Sequence, residues 1–212
     1  LHNAADVNFV ADYAQLAPSN VETLGGLMQL ATAGGVRRKL HFVSTTAIFN
    51  GPGLRDRQWL RPADFPDSPE DVHTGYARSK WVAEAVLHAA SERGLPVHVH
   101  RPSVILCDSR SGASHVEDFS CRFLRGCLQM GAYPDAALGV PIVGVDQVAS
   151  GIAASLGQPN LAPVTHWSPQ RPLQMAQALR RLAARGHAMR PLALDEWLDR
   201  CAIASRRTTR ST

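Results

Sequence analysis

The sequence predicts an α/β protein with a mostly parallel β-sheet. Apolar segments of strand length alternate with amphipathic segments of helix length, at spacings suited to strand–helix–strand crossovers. With 45% hydrophobic and 19% charged residues, the composition is typical of a globular chain rather than a disordered or fibrous one. A length of 212 residues allows one domain, or one and a half, with a hydrophobic core.

The first elements follow from local periodicity and from breaker residues. A helix is predicted to begin at Ser19 or Asn20, either of which could cap it, and to stop at Gly34. Residues 40–49 predict a strand that runs into a turn, because an apolar, β-branched stretch precedes the letters NGPG. Residues 61–72 are rich in proline and predict a loop.

The central elements form the clearest crossover. A long helix is predicted over residues 74–93, closed by Gly94, and a second strand is predicted over residues 95–102, ended by its proline. A right-handed crossover would place this helix against the sheet formed by the two strands on either side of it.

The last part of the chain carries weaker signals. Residues 103–139 show no clear periodicity and predict a long irregular segment. Residues 140–157 predict a short strand followed by a helix capped by Asp146. A final helix is predicted from a cap at Ser168 to Gly186, with a proline in its first turn.

Charge and hydropathy exclude several classes of function. The net charge is +4, but the basic residues are scattered and no nucleic-acid-binding motif is present. The basic tail over residues 206–212 is predicted to be flexible. No apolar run approaches the ~20 residues that span a membrane, and no signal peptide is visible. We therefore expect a cytoplasmic protein without a nucleic-acid or membrane partner.

No metal site is predicted. His98 and His100 lie on one face of the second predicted strand, but no third ligand has suitable spacing. They are interpreted as a polar strand face or as hydrogen-bonded histidines. The cysteines are expected to be reduced thiols, because their spacings fit neither a zinc site nor a redox pair. They are Cys107, Cys121, Cys127 and Cys201.

The helix predicted over residues 74–93 contains a tyrosine and a lysine four residues apart. A Tyr-x-x-x-Lys match is by itself a weak motif. On a helical wheel, however, Tyr76 and Lys80 share the apolar stripe, so the lysine points with the core-facing side. Burial of an ammonium without a partner is costly, although a snorkelling lysine at the end of the stripe is an alternative. Trp81, off this stripe, is interpreted as packing against a neighbouring helix.

A buried pair of this kind has useful chemistry. A lysine ammonium about 4 Å from a phenol would, at an effective dielectric near 20, contribute roughly 4 kcal/mol, or about three pKa units. The pKa of Tyr76 would then move from about 10 toward 7, where the phenol can transfer a proton at neutral pH. Thr45, at the end of the preceding strand, could donate its hydroxyl to a substrate carbonyl, or it could be only a strand-forming residue. Together the three residues predict a carbonyl-reducing site.

Six stretches of the sequence match a known family. They are HNAADVNF (2–9), SNVETLGGLMQLA (19–31), LHFVSTTAIF (40–49), GYARSKWVAE (75–84), RGLPVHVHRPSVILCDSRSGA (93–113) and DFSCRFLRGCLQMGAYPD (118–135). The chain resembles the extended short-chain dehydrogenase/reductase family. More narrowly, it resembles the thioester reductase domains that terminate nonribosomal peptide synthetases, polyketide synthases and carboxylic acid reductases. The last two stretches separate these domains from sugar-nucleotide epimerases, which share the Tyr-x-x-x-Lys pattern.

The resemblance implies a Rossmann-like parallel sheet, a smaller and mostly helical substrate-binding subdomain, and a catalytic triad of Thr45, Tyr76 and Lys80. Tyr76 would protonate the developing oxyanion as hydride arrives from NADPH, Thr45 would hydrogen-bond the same oxygen, and Lys80 would hold the nicotinamide ribose. The implied cofactor contacts are Asn3, Ala4, Ala5, Ser44, Tyr76, Lys80, Arg101, Pro102, Ser103 and Val104.

The implied substrate is an acyl or peptidyl thioester on the phosphopantetheine arm of a carrier protein, and the product is an aldehyde or an alcohol. Asp108, Ser109 and Arg110 would lie near the pocket, although this segment could also form only an Asx-type turn. Arg122 and Arg125 are interpreted as a solvated helix face rather than as a docking patch for an acidic carrier protein. The resemblance implies a monomeric domain of a larger multidomain enzyme.

The Gly-rich phosphate-binding turn of the family is absent from the sequence. No G-x-G-x-x-G spacing follows a strand, and residues 2–8 match the family near the end of its fourth strand, so the first βαβ units are expected to be missing. The predicted organisation is the C-terminal portion of a Rossmann-like NADP-binding domain over residues 1–102, a mixed region with substrate-binding segments over residues 103–205, and the tail. Two alternatives remain: another extended reductase or epimerase, and a catalytically silent scaffold or docking module.

Overall fold

A computed structural model describes residues 1–51 and 60–208, with side chains to residue 203. Pro52 and Gly53 of the predicted turn, and residues 209–212 of the predicted tail, lie outside the described residues. The chain divides into two units. The first unit contains Leu1–Ser103 and Gln147–Ser168, and the second contains Val104–Asp146 and the residues from Pro169 onward. The predicted domain limits assign residue 103 and residues 147–168 to the second region, whereas here they belong to the first unit.

The described residues contain short strands and longer helices. The strands are β1 (Leu40–Val43), β2 (Val97–Pro102), β3 (Val104–Ile105), β4 (Ala132–Pro134), β5 (Gly139–Val140), β6 (Ile142–Val143), β7 (Val164–Trp167), β8 (Leu173–Gln174) and β9 (Arg190–Leu192). The helices are α1 (Tyr13–Ala17), α2 (Leu24–Thr32), α3 (Gly75–Glu92), α4 (Phe119–Met130), α5 (Val145–Leu156), α6 (Met175–Ala184) and α7 (Leu194–Thr208). A π-helical turn (Pro18–Glu22) joins α1 to α2, and a 3₁₀ turn (Thr46–Phe49) follows β1. None of these helices is both long enough and apolar enough to cross a lipid bilayer.

The first unit is built on a three-stranded parallel sheet with the order β1-β2-β7. In its register Phe42 of β1 lies beside Val99 of β2, and His2 forms an isolated bridge at the outer side of Phe42. Leu24 of α2 and Leu87 of α3 are buried in one cluster with Phe42 and Val99, on the face of the sheet that carries these two side chains. Burial of such side chains contributes about 1.5–3 kcal/mol each. The core of the first unit therefore lies between the sheet and helices α2 and α3.

Helix α3 has the limits that its sequence predicts. The Thr74 hydroxyl accepts a hydrogen bond from the Ala77 amide and so caps the helix at its start. The chain leaves the helix through Gly94, whose φ of 90° is unfavourable for other residues. The predicted helix and the parallel pairing of the two strands that it connects are both confirmed.

The helical region before β1 begins earlier than predicted. Asp12 caps α1 and forms a capping box with Gln15, and the chain then continues through the π-helical turn into α2. Ser19 and Asn20 are therefore not caps. The Ser19 hydroxyl instead donates to the carbonyl of Leu16, and the Asn20 side chain is buried.

The second unit has its own small core around Cys127, Tyr133 and Leu179. Its described strands form three pairs, of which β3–β6 and β4–β9 are parallel and β5–β8 is antiparallel. The prediction of an irregular segment over residues 103–139 is wrong, because α4 and the short strands β3 and β4 lie within it. The arginines of α4 are exposed on the side opposite Cys127, so the helix is amphipathic in a pattern that the prediction missed.

Two predicted helix caps in the later part of the chain are also wrong. Helix α5 begins at Val145, so Asp146 lies in its first turn, and the Asp146 carboxylate accepts hydrogen bonds from the amide and hydroxyl of Ser109. Helix α6 begins at Met175 rather than after Ser168, because the preceding residues pair with β5 as strand β8. Helix α7 runs to Thr208 and so includes the first residues of the predicted tail.

Candidate active site

Tyr76 is the second residue of α3 and lies at its amino end. Its side chain is buried, and the ring of Phe9 packs edge-on against it with 5.3 Å between centroids. Burial raises the pKa of Tyr76 to about 12. The predicted lowering of this pKa by Lys80 is therefore wrong for this structure: the cost of burying a phenolate decides the direction. At neutral pH the phenol keeps its proton, which suits a proton donor rather than a base.

Lys80 lies one turn after Tyr76 and is only 3% exposed. Its Nζ donates a hydrogen bond of 2.7 Å to the carbonyl of Val43, the last residue of β1, and lies 4.6 Å from the centre of the Phe42 ring. Burial lowers the pKa of Lys80 to about 8, while the nearby Glu84 carboxylate partly opposes this shift. The prediction that Lys80 points with the apolar face of the helix is confirmed.

Thr45 follows β1 in extended conformation and caps the 3₁₀ turn that packs beside α3. Its Oγ1 accepts a hydrogen bond of 3.1 Å from the amide of Ala47. A hydroxyl that accepts in this way still has its own hydrogen to donate. The carboxyl end of β1 and the amino end of α3 thus bring Thr45, Tyr76 and Lys80 into one part of the first unit.

Ser44 and Ser103 stand at the carboxyl ends of the neighbouring strands β1 and β2. Their amides are paired, with 2.7 Å from Ser44 to the carbonyl of His100 and 2.9 Å from Ser103 to that of Trp167. Both side chains are buried, and within the described residues neither hydroxyl has a hydrogen-bond partner. Buried polar groups are normally satisfied, and open α/β sheets bind ligands at the carboxyl ends of their strands. These two hydroxyls therefore fit a polar cofactor.

The segment of Asn3, Ala4 and Ala5 leaves the edge of the same sheet. His2 anchors its start, because the His2 amide donates to the carbonyl of His41 and the His2 carbonyl accepts from the amide of Val43, at 2.7 and 2.9 Å. Of the other predicted cofactor contacts, Pro102 ends β2 in the first unit, while Val104 begins β3 in the second.

Arg101, also predicted to contact the cofactor, uses its guanidinium in contacts within the protein. Its guanidinium forms a buried ion pair with Glu84, with 2.7 Å between the closest atoms, and donates to the carbonyls of Pro62 and Asp64. A further contact of 3.3 Å joins it to His166. Glu84 is not among the residues predicted from the sequence. The pattern that could have indicated it is a carboxylate four residues after Lys80 on the same helix.

Asp108, Ser109 and Arg110, predicted to bind substrate, lie in the second unit. The Asp108 carboxylate accepts hydrogen bonds from the amides of Arg110 and Ser111, so the segment forms the Asx-type turn considered as an alternative. Backbone and hydroxyl hydrogen bonds lower the pKa of Asp108. The Arg110 side chain is exposed and carries a long contact to Asp108.

The histidine pair and Trp81 have structural roles. The indole of Trp167 donates to Nδ1 of His100 at 3.2 Å, so Nε2 of His100 carries the proton and donates to Nδ1 of His41 at 3.1 Å. Burial lowers the pKa of His41 and His100 to about 4, so these two imidazoles are neutral at pH 7. The interpretation of His98 and His100 as hydrogen-bonded histidines is confirmed, because Nε2 of His98 lies 3.1 Å from the hydroxyl oxygen of Thr165. Trp81 stacks on Phe65 in a loop, so its predicted packing against a helix is wrong.

Arg122 and Arg125 of α4 are exposed and form ion pairs with Glu117, at 2.8 and 3.8 Å. Such surface pairs contribute little to stability. This arrangement agrees with the interpretation as a solvated helix face.

Comparison with known proteins places these residues in a family. Residues 1–152 match the model of an NAD-binding family described as male sterility protein. The chain is 32% identical, over 93% of its length, to the isonitrile lipopeptide synthase of Streptomyces coeruleorubidus. It is 34% identical, over 75% of its length, to L-2-aminoadipate reductase of Schizosaccharomyces pombe. The matches span 13% and 12% of those two proteins, respectively.

A solved structure shares both fold and sequence with the chain. The terminal R domain from the myxalamid PKS-NRPS biosynthetic pathway superposes with a TM-score of 0.90 and 32% identity. The match covers 97% of this chain and 52% of that one, so the chain spans about half of that solved domain. The prediction of an α/β fold with a Rossmann-like parallel sheet is confirmed.

Proposed function

The chain belongs to the NAD-binding family described as male sterility protein, and on this premise we propose that its protein reduces a carrier-bound acyl or peptidyl thioester with NADPH. The product is an aldehyde, or an alcohol after a second reduction. One observation carries the proposal: Tyr76 and Lys80 are buried one turn apart at the amino end of α3, beside the strand end that presents Thr45.

The cofactor would be held at the carboxyl ends of β1 and β2. The hydroxyls of Ser44 and Ser103, which have no hydrogen-bond partner among the described residues, are the groups that fit it best. Lys80 supplies a cation on the helix that packs beside these strand ends. The segment of Asn3, Ala4 and Ala5, together with Pro102 and Val104, completes the proposed contacts. When bound, NADPH supplies the hydride.

Tyr76 supplies the proton in this proposal. Its pKa of about 12 means that Oη is protonated at neutral pH and can donate to an oxygen on which negative charge develops. The Thr45 hydroxyl donates to the same oxygen, because its bond from the Ala47 amide uses a lone pair and leaves its hydrogen to donate. Lys80, whose ammonium donates to the Val43 carbonyl at the end of β1, would hold the nicotinamide ribose of the bound cofactor.

The carrier-bound substrate would meet the second unit through its phosphopantetheine arm. Arg110 is exposed there, and a guanidinium can bind a phosphate group through two parallel N–H···O hydrogen bonds. The Asx-type turn of Asp108 holds the backbone that carries it. Ser109 contributes through its bonds to Asp146, which fix the turn to the start of α5.

The test is reduction of an acyl thioester on a phosphopantetheinylated carrier protein by the full-length protein, followed through NADPH consumption. Tyr76→Phe removes the proton donor and is expected to lower the rate by roughly 10²–10⁴-fold. Tyr133→Phe is the matched control, since Tyr133 is also buried but lies in the core of the second unit.

Two results would overturn the assignment. Reduction of free carbonyls or nucleotide sugars, but not of the carrier-bound thioester, would favour another extended reductase. Absence of both NADPH binding and reduction would favour a scaffold or docking module.

A further inference from the structure

Three buried histidines lie on the face of the first unit's sheet that points away from α2 and α3. They are His41 of β1, which alternates with the core-facing residues of that strand, and His98 and His100 of β2. None is more than 3% exposed, and their ring centroids lie 4.4–5.4 Å apart. Histidine is the side chain whose ordinary pKa lies closest to neutral pH. A buried cluster of three is therefore sensitive to mild acid.

The hydrogen bonds of this cluster can form in only one direction. An indole nitrogen only donates, so Trp167 donates to Nδ1 of His100, at 3.2 Å. Nε2 of His100 then carries the hydrogen of the neutral ring and donates to Nδ1 of His41, at 3.1 Å. Each of the two histidines thus uses its bare nitrogen as an acceptor, which requires both rings to be neutral.

Protonation of either ring breaks this chain of hydrogen bonds. A proton can be added to His100 only at Nδ1, where it meets the N–H of Trp167, and to His41 only at Nδ1, where it meets the N–H of His100. Two donors do not form a hydrogen bond, and buried polar groups without partners are costly. A charge on His98, whose ring lies beside both others, would add repulsion.

The charged groups nearest to the cluster favour its neutral form. Lys39, directly before β1, and the amino group of Leu1 place positive charge near His41, and Lys39 also acts on His98. Burial has the largest effect and lowers the pKa of His41 and His100 to about 4, from an ordinary value of 6.5. The released strands therefore bind protons more strongly than the folded sheet does, so acid favours release.

The titratable groups of the neighbouring elements are engaged elsewhere. His166 of β7 contacts Arg101 on the opposite face of the sheet. Helix α5 packs against the Trp167 ring at Gly151, where an added Cβ would lie 2.3 Å from the indole. Its one titratable residue, Asp146, accepts hydrogen bonds within the second unit.

The cluster belongs to the same strand ends that present the proposed site. The carbonyl of His100 accepts from the amide of Ser44, and the carbonyl of Trp167 accepts from the amide of Ser103. The carbonyl that holds Lys80 belongs to the residue beside His100 in the register of the sheet. Loss of the side-chain chain would therefore loosen the backbone that carries the groups proposed to hold the cofactor.

We propose that the cluster of His41, His98, His100 and Trp167 is an acid-sensitive latch, which holds the carboxyl ends of β1, β2 and β7 at neutral pH and releases them when the histidines take up protons. The link from the latch to the cofactor rests on the proposed function. The latch itself rests only on hydrogen bonds within the first unit. Acid acts here on the sheet that carries the site, without any titration of the proposed catalytic residues.

The test is amide hydrogen exchange in the full-length protein at about pH 7.5 and about pH 5.5, corrected for the intrinsic dependence of exchange on pH. The amides of Ser44 and Ser103 report the opening of the strand ends. Each histidine with the lowered pKa is expected to raise the opening constant roughly tenfold over this range, so His41 and His100 together raise it roughly a hundredfold. Opening that does not change with pH would overturn the proposal.

Two variants isolate the latch. His41→Asn keeps an acceptor oxygen near the position of Nδ1, so His100 can still donate, but the amide takes up no proton. Its acid-induced rise in opening is expected to be roughly tenfold smaller than that of the wild type. His88→Asn is the matched control, because His88 is exposed on α3 beside Glu92, and it is expected to open like the wild type. Equal rises in His41→Asn and the wild type would overturn the proposal.

An NMR titration of the histidine rings in the wild-type protein requires no variant to fold. Ordinary titration of His41 and His100 near pH 6.5 in the folded protein would overturn the latch.

A further measurement separates the latch from the proposed function. NADPH at about a hundred times its Kd should slow exchange at Ser44 and Ser103 roughly a hundredfold, because the cofactor binds only the closed strand ends. Binding that leaves these amides unaffected would overturn the link between latch and cofactor. Absence of any NADPH binding, with the acid-induced opening intact, would overturn the proposed function and leave the latch established.

Discussion

Two buried cations of the first unit, Lys80 and Arg101, are satisfied to very different degrees. An ammonium has three hydrogens to donate. Within the described residues, Lys80 Nζ has one hydrogen-bond partner, the Val43 carbonyl, and otherwise faces the ring of Phe42. Arg101 instead distributes its guanidinium over Glu84, backbone carbonyls and His166.

The difference distinguishes a charge that stabilises the fold, that of Arg101, from one that is available for a reaction, that of Lys80. A buried charge with an ideal partner is neutralised and fixed, and its removal leaves the partner stranded. A buried charge with few partners costs stability, which is typical of groups that serve a reaction. The pKa of Lys80 is lowered to about 8 by this burial. Lys80 thus belongs to the proposed active site, and Arg101 to its support.

The largest expected effect is on activity at Lys80. Lys80→Met should lower the rate of thioester reduction by about 10²–10⁴-fold, since the cation beside Tyr76 is lost. Lys39→Met is the matched control, because Lys39 also donates to backbone carbonyls but stands at the opposite end of β1. The measurement is the steady-state rate of thioester reduction by both variants. Similar rates for the two would place Lys80 among the structural charges.

A large effect on stability is expected at Glu84. Glu84→Gln leaves the Arg101 charge buried without its counter-charge and should lower the free energy of unfolding by about 3–5 kcal/mol. Glu117→Gln, which breaks an exposed pair with Arg122, should cost about 0–1 kcal/mol. Urea unfolding measures both changes. If Glu84→Gln lowers the free energy of unfolding by less than about 1 kcal/mol, Arg101 does not stabilise the fold more than an exposed ion pair does.

A smaller effect should appear as a pH dependence. The folded pKa of Lys80, about 8, lies below the ordinary value of 10.5, so the unfolded chain binds the proton more strongly. Stability should therefore rise with pH between about 8 and 10.5, by roughly 2–3 kcal/mol. Below about pH 8 the contribution is constant. The difference between wild-type and Lys80→Met unfolding free energies across this window isolates the effect, and a pH-independent difference would contradict it.

Local signals were sufficient for the central crossover and for the candidate triad. The apolar stripe of α3, the Thr74 cap and the closing Gly94 are encoded within one stretch of sequence, and the wheel placed Lys80 inward without any tertiary information. Helix α4 was missed although its arginines lie on the exposed side opposite Cys127. The start of α1 was missed because the helix is only five residues long before the π-helical turn, too short for a clear periodicity.

The sequence by itself determined the element types around the site and the residues that could perform the chemistry. Tertiary structure alone decided what those residues touch. His41 and His100 are 59 residues apart in the chain, and Lys80 and Val43 are 37 apart. Such partners, and the burial that raises the pKa of Tyr76, depend on how distant segments pack. Periodicity reports which side of a helix faces inward, but the neighbours that it meets there are set by the whole fold.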